Sequence, residues 1–435
     1  MAIHQEHLER IFYTALSAVH PAKLVPEFLR IDDEKMIIGD HQYLAGHFRN
    51  IFVGGAGKAS GAMAAAVEKL LGNRITDGII AVKKGHAVPL EFIRTIEAGH
   101  PLPDYNSVHA ASQLLQLIKK AGGKDLFLFL LSGGASSLIT DLPEGIELRE
   151  LDKTFQLLVN SGASIQEMNT VRKHLSGIKG GQLIQHSNSA TVISFILSDV
   201  IGNDLAVIGS GPTVGDPSSF EDAAAVLHKY ELTERVSVSI NNHIKKGIQG
   251  SITETPNPGN PLFALTSNYI IGDQAIALKA AAAEALNLGY QPHILTDFMS
   301  GDTEQAALQW VKEIEKYKSS GKYCLIGGGE TTVQVTGNGK GGRNQHFALA
   351  AAILLQDRPG IILLAAGTDG TDGPTDAAGA VVTGESYAQA LTLELSPENY
   401  LKNHDSYHFF MLAGGLLKTG PTQTNVMDLV ITLIG

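Results

Sequence analysis

The sequence predicts an α/β chain of two domains around a cleft, and three observations carry that expectation. At 435 residues the chain is too long for one comfortable hydrophobic core. Its apolar runs, among them 125–131 (DLFLFLL), 191–197 (TVISFIL) and 361–366 (IILLAA), are continuous rather than alternating, as in strands buried on both faces of a mainly parallel sheet. Residues 249–261 (QGSITETPNPGNP) are rich in Pro, Gly and Asn, and read as a linker between domains 1–248 and 262–435.

Composition narrows the function. A hydrophobic content of 44% with 18% charged residues is ordinary for a soluble enzyme. The net charge of −11, with no block of Lys or Arg, argues against nucleic acid as a partner. An anionic substrate must then be met by local cations working against the global field. The one cysteine, Cys324, excludes an intramolecular disulfide and a thiolate metal cluster, and its apolar surroundings make it a buried, inert thiol. Residues 1–20 are amphipathic with acids among the apolar positions, unlike a signal peptide, and no run reaches the length of a membrane span. A cytoplasmic protein with no membrane partner is expected.

In chain order, residues 4–18 place Leu8, Ile11, Phe12 and Leu16 at helical spacing. A short strand at 49–53 leads into Gly54-Gly55-Ala56-Gly57-Lys58-Ala59-Ser60-Gly61, and a helix follows at 62–71. This turn fails as a Walker A loop, because Ala59 follows Gly57-Lys58 and Phe52 stands where the first glycine belongs. It fails as a dinucleotide fingerprint too. Gly55, Gly57 and Gly61 leave one residue too many, and the next strand ends in Lys83-Lys84 rather than in an acid for ribose. Lys58 still sits where a strand becomes a helix, beside exposed amides; a solvated charge is the alternative.

Strand 125–131 ends in Ser132-Gly133-Gly134-Ala135-Ser136-Ser137, a second strand–glycine–helix junction. It lacks the second glycine of a serine-hydrolase elbow, so Ser132, Gly133, Gly134 and Ser136 read better as a nest for carboxylate or phosphate. Residues 165–183 (IQEMNTVRKHLSGIKGGQL) group Asn169, Arg172, Lys173, His174 and Lys179, either for an anion or to complement a helix dipole. Strand 191–197 delivers Asp199 and Asp204 to the carboxyl end of a sheet strand, where ligands sit. Mg²⁺ wants one or two carboxylates plus phosphate oxygens, and turn capping is the alternative.

The alternation restarts after the linker, with strands at 268–271, 291–296 and 322–326 and helices at 275–288 and 303–317; Trp310 on the latter reads as packing. Gly327-Gly328-Gly329-Glu330 and a second glycine turn at 337–342 then lead into Arg343, Asn344 and a helix to 355. Gly328, Glu330, Asn344 and Arg343 are thereby candidates for an anion site at a helix start, against a plain hairpin and tight loop. Strand 361–366 ends in GTDGTDGPTD, where Asp369, Asp372 and Asp376 lack EF-hand spacing. Those acids read as a Mg²⁺–phosphate or substrate-hydroxyl site, with turn chemistry as the alternative. A last strand occupies 427–434.

Cations on glycine turns and acids at strand ends are the inventory that phosphoryl transfer to a small acid requires. That inventory favours a kinase over a dehydrogenase. The motifs GAGKAS (55–60), LSGGASSL (131–138), MNTVRKHLSGIKGGQL (168–183), SDVIGNDLAVIGSGPT (198–213), GGGETTVQV with GKGGRNQ (327–345) and GTDGTDGPTDAAGA (367–380) then give a sharper reading. In these motifs and their order the chain resembles the class II glycerate 2-kinases, the family whose C-terminal domain is named MOFRL and whose members have often been labelled hydroxypyruvate reductases.

The resemblance implies a larger Rossmann-like domain with a mainly parallel sheet and a smaller C-terminal α/β domain. It implies phosphorylation of D-glycerate to 2-phosphoglycerate with ATP and Mg²⁺, and active-site work for Lys58 and Arg343. On that basis Lys58 and Arg343 neutralise substrate carboxylate and phosphoryl group, with Arg343 crossing the cleft. Asp199 is base or metal ligand, with Asp369 or Asp372 as its counterpart and Asp204 as a further metal ligand. Gly57, the Ser132–Ser137 turn, Arg172 and Lys179 hold anions. A homodimer is compatible with the sequence. NAD(P)H-dependent hydroxypyruvate reduction is the rival activity.

Overall fold

Glycine-ended apolar strands build the first sheet. The computed structural model describes residues 2–317 and 321–435. In one unit, Leu24–Ile271, strands β1 (Leu29–Ile31), β2 (Lys35–Ile38) and β3 (His41–Leu44) form an antiparallel meander. Strands β4 (Ile51–Ala56), β5 (Ile75–Lys83), β6 (Arg94–Ala98), β7 (Leu126–Ser132), β8 (Thr191–Leu197) and β9 (Thr266–Gly272) form a six-stranded sheet in the order β6-β5-β4-β7-β8-β9. The β6–β5, β5–β4, β4–β7 and β7–β8 pairs are parallel. β4 and β7 are buried along their whole lengths, as their unbroken apolar character requires.

From β4 the chain winds outward to β5 and β6, then returns to the other side of β4 as β7 and β8. The carboxyl ends of β4 and β7 therefore form a topological switch point, the place where connections diverge and open α/β sheets bind ligands. Phe127 and Phe129 of β7 pack with Leu114, Leu117 and Ile118 of helix Tyr105–Lys120 in the core beneath. A satellite core joins Leu151, Leu158, Val171, Phe220, Leu227 and Ile240 of four helices, and fixes helix Ile165–His174.

The second unit comprises Met1–Lys23 and Gly272–Gly435. Strands β10 (Gln291–Met299), β11 (Tyr323–Gly329), β12 (Ile361–Gly367), β13 (Gly379–Thr383), β14 (Leu416–Leu417) and β15 (Asp428–Ile434) order as β10-β11-β15-β12-β13-β14. Only β10–β11 is parallel; the other pairs are antiparallel. The run at 361–366 is thus a buried strand, as expected, but antiparallel to both neighbours. Continuous apolarity reports that both faces are covered, not which way the neighbours run. Trp310 packs as expected, its indole N–H donating to Thr432 Oγ1 at 2.9 Å. Cys324 is buried, and burial pushes its thiol pKa up to about 12.

The division of the chain differs from the sequence expectation in two places. Residues 249–261 are no free linker but part of the first unit. Glu254 takes His174 Nε2 at 2.8 Å and the Phe220 amide at 2.9 Å, and Asp216 N–H donates to the Pro256 carbonyl at 2.9 Å. The first 23 residues go with the C-terminal unit. His7 Nδ1 meets Tyr290 Oη at 3.1 Å, Arg10 pairs with Glu284, and Thr424 Oγ1 donates to the Val19 carbonyl at 2.7 Å. Amphipathy shows that a helix has a core face, not which core receives it. Among the described residues no helix is long and apolar enough to cross a membrane.

Candidate active site

Adjacent strands β4 and β7 bring their glycine turns together. Gly57 has φ +141°, and a β-carbon there would lie 2.0 Å from Ser132 Oγ and 2.6 Å from the Ser132 carbonyl oxygen. Glycine is what allows the turn to close onto β7. Three bonds then stitch the turns: Lys58 N–H to the Gly133 carbonyl (2.9 Å), Ala59 N–H to Ser132 Oγ (3.0 Å) and Ser60 Oγ to the Leu130 carbonyl (3.1 Å). Ser132 is fully buried and acts as the clasp between turns, which corrects its expected role as a phosphate ligand. Gly134 is left-handed at φ +86°; a β-carbon there would come 2.8 Å from the His100 ring and 3.6 Å from Lys58 Cγ. The half-buried Lys58 thus runs over Gly134.

Two further segments meet the same turn. Helix Ile165–His174 starts with a Ser164–Glu167 capping box. In its last turn Lys173 points inward to Asp216 (3.3 Å), while Arg172 donates through Nη1 to Asn169 Oδ1 (2.8 Å) and lies 5.0 Å over the Phe155 ring. Burial lowers the Arg172 pKa from its ordinary value. Asn169 Oδ1 also lies 3.0 Å from Ser210 Oγ, and Ser210 meets Ser136 Oγ at 2.7 Å. Gly180 and Gly181 N–H groups bond the Ser210 and Gly211 carbonyls at 2.9 and 2.7 Å. Ser136, Asn169, Arg172 and Ser210 therefore form one connected group.

Lys179 does not belong to it. Its ammonium donates to the Ile139 carbonyl at 3.0 Å beside Asp141 at 3.8 Å, and burial pushes its pKa down to about 8. It pins the segment behind the serine turn, which corrects its expected role in phosphate binding.

In the C-terminal unit, Gly329 of β11 and Gly367 of β12 both register with Asp428 at the start of β15. Arg343, the first residue of helix Arg343–Leu354, engages Asp428 through Nε and Nη2 (Nη2–Oδ1 3.0 Å) and Glu330 through Nη1 (2.6 Å). Burial alone would lower its pKa; Asp428 and then Glu330 outweigh that and raise it. An uncommitted Arg343 reaching across a cleft is therefore corrected: its guanidinium is paired with two acids of its own unit. Sequence reading missed Asp428, whose signal was an acid opening an otherwise apolar terminal strand. Gly328 is a packing position, because a β-carbon there would lie 2.3 Å from the Gln274 amide carbon.

Asp372 accepts the Asn344 and Gln345 backbone N–H groups (3.1 and 2.8 Å) and both side-chain amides (3.3 and 3.0 Å). It caps helix Arg343–Leu354 from another loop, and its four bonds leave its oxygens spoken for rather than open to a metal, which corrects that expectation; Asn344 spends its backbone N–H and one Nδ2 proton there. Burial pushes its pKa up to about 6 in spite of these donors. Asp369 is buried and takes the Thr371 N–H at 2.9 Å; Asp369 Oδ1 and Asp428 Oδ1 would both fall within 3.4 Å of a β-carbon on Gly367.

Two outcomes follow from this cluster. Replacing Arg343 by Ala leaves Asp428 and Asp372 without their cation, and should lower stability by about 2 kcal/mol, the buried-pair cost discounted for the guanidinium's partial exposure. Urea denaturation reads this as a lower midpoint; an unchanged midpoint would refute the pairing. Asp372 holds its proton more tightly folded than unfolded, so its contribution is present at low pH and is lost as pH rises through about 6. Relative to an Asp372→Asn variant, wild type should lose on the order of 2 kcal/mol between about pH 4 and pH 7. A stability difference flat in pH would show that the carboxyl does not titrate there.

Asp199, at the carboxyl end of β8, is half-buried. Asp204 is exposed, and its Oδ1 accepts the Ala206 N–H at 2.9 Å, so the turn-capping alternative accounts for it. Among the described residues no group of three or more His, Cys, Asp or Glu side chains is arranged to hold a metal. A site needing one carboxylate together with phosphate oxygens remains compatible with Asp199.

The class these features define is an α/β enzyme with a candidate ligand site at the switch point of a parallel sheet. Residues 7–245 match a family model described as a domain of unknown function, DUF4147, and residues 323–428 match the MOFRL family. A glycerate 2-kinase of Pyrococcus horikoshii is 38% identical over 432 residues, covering 98% of this chain and 96% of the relative. A D-glycerate 2-kinase of Thermotoga maritima is 42% identical over 386 residues, covering 87% and 89%. The crystal structure of a Thermotoga maritima glycerate kinase superposes with a TM-score of 0.84 at 37% identity, covering 100% of both chains. This chain belongs to the glycerate kinase family of phosphotransferases.

Proposed function

We propose that this protein transfers the γ-phosphoryl group of ATP to the 2-hydroxyl of D-glycerate, giving 2-phospho-D-glycerate and ADP, with Mg²⁺. The observation that carries the reading is the stitched pair of turns at the β4–β7 switch point, with Lys58 lying over Gly134. The Lys58 ammonium offsets the charge of the transferring phosphoryl group. Asp199 supplies the carboxylate, as metal ligand or as acceptor of the hydroxyl proton. When bound, Mg²⁺ neutralises phosphate charge and aligns the group being transferred. Arg343 enters through the family resemblance alone; an anion reaching it would have to displace the exposed Glu330.

Hydroxypyruvate reduction has less support. The Gly55–Gly61 turn carries an extra residue and closes onto Ser132, and β5 ends in Lys83 where a ribose-binding acid would stand. The test is a coupled ADP assay over glycerate, tartronate, lactate and hydroxypyruvate, with a parallel NADH assay. ADP release should require both D-glycerate and Mg²⁺. Its absence, or NADH loss with hydroxypyruvate, would overturn the reading.

A further inference from the structure

The hydrogen positions around Asn169 are fixed by chemistry. Arg172 can only donate, so the Asn169 atom 2.8 Å from Nη1 is the carbonyl oxygen Oδ1. Ser210 Oγ, 3.0 Å from that oxygen, must donate to it as well. This uses the one Ser210 proton, so in the 2.7 Å contact between Ser136 and Ser210 the donor is Ser136.

Two polar capacities are left over. Asn169 is only 3% exposed, yet its Nδ2, with two protons, has no partner among the described residues. Ser136 Oγ keeps an acceptor lone pair but has no proton to give. The fold also holds the fully buried Ser210 in a left-handed conformation at φ +62°, which a non-glycine residue rarely adopts. An unpaired buried amide and a strained serine in one hydrogen-bonded group are what a pre-organised binding site looks like before its ligand arrives.

Resting on the glycerate kinase reading, we propose that Asn169 binds the substrate carboxylate. Its Nδ2 donates to a carboxylate oxygen, while Ser136 Oγ accepts a hydrogen bond from a hydroxyl of the same molecule. Arg172 and Ser210 are positioning residues that keep the amide from turning over. The pair selects a ligand offering an acceptor and a donor together, a small hydroxy acid, over an ion offering acceptors alone. Ser136 is accordingly a hydroxyl acceptor and not the phosphate donor expected from the sequence.

Asn169→Asp tests this, because aspartate keeps the oxygen that Arg172 and Ser210 hold and replaces the amide donor with an acceptor. The KM for D-glycerate should rise at least about tenfold, the KM for ATP should change less than about twofold, and the thermal shift caused by D-glycerate should disappear. The midpoint of the ligand-free protein should not fall, since a carboxylate pairs better with Arg172. An unchanged glycerate KM, or equal changes in both KM values, would overturn the proposal. Should that variant not fold, Ser210→Ala carries the test: it frees the amide and should raise the glycerate KM about threefold with kcat within about twofold. An unchanged KM there is equally fatal. If wild type shows neither turnover nor a thermal shift with D-glycerate, the glycerate reading fails first. Thermal shifts with lactate and tartronate then decide the site, and no response to either would overturn the hydroxy-acid inference too.

Discussion

Lys58→Ala should lower kcat at least about a hundredfold, on the order of 3 kcal/mol of lost transition-state stabilisation, while leaving the fold intact. The local geometry separates the two effects. Lys58 holds the two turns together through its backbone N–H on the Gly133 carbonyl, which alanine retains. The side chain runs over Gly134 and is half-buried, so its loss removes a charge and a stem while the backbone clasp stays in place. The measurement is steady-state kcat by ADP release beside a thermal midpoint. Near-normal turnover would remove Lys58 from the chemistry. A collapsed midpoint would make it a structural residue.

Gly57→Ala should be severely damaging for the first unit. The added carbon would sit 2.0 Å from Ser132 Oγ and 2.6 Å from the Ser132 carbonyl oxygen. The hydroxyl can rotate away; the carbonyl is backbone at the end of β7, where Ser132 registers with Leu197 of β8, and cannot. The φ of +141° adds backbone strain. Together these predict a loss of at least about 3 kcal/mol and of nearly all activity, because the turns cannot stay stitched. Gly72→Ala is the control. That residue also has positive φ, at +52° with ψ −130°, a region glycine alone enters readily, but nothing lies within 4 Å of its would-be β-carbon, so only backbone strain on the order of 1–3 kcal/mol is expected. If Gly57→Ala unfolds no more easily than Gly72→Ala in urea, the close approach of the turns is not a requirement.

What the sequence made legible was position along strands. The ends of β4 and β7 were marked by apolar runs breaking into glycine and that of β8 by an acid, and the candidate site of the first unit lies there. What it could not show was which polar groups are already spoken for. Arg343, Lys179, Asp372 and Ser132 have the residue types and placement of ligands, yet each is engaged by a neighbour distant in sequence: Asp428, the Ile139 carbonyl, the Asn344–Gln345 amides and the Ala59 amide. Pairing of that kind depends on register between strands, such as Gly329 and Gly367 facing Asp428, and on loops that cap helices from outside. The same limit hid the docking of the first helix on the C-terminal unit. Asn169 shows the converse. It lay within a recognisable motif, but its unpaired amide became visible only when Arg172 and Ser210 were seen to take its oxygen.

The central claim is phosphorylation of glycerate at the 2-hydroxyl, and phosphorus NMR of the product tests it most directly. With D-glycerate, ATP and Mg²⁺, a new phosphate ester should appear together with ADP. Its phosphorus should be split into a doublet by the single hydrogen on C2. A triplet, from the two hydrogens of a 3-phosphate, or no ester at all, would contradict the account.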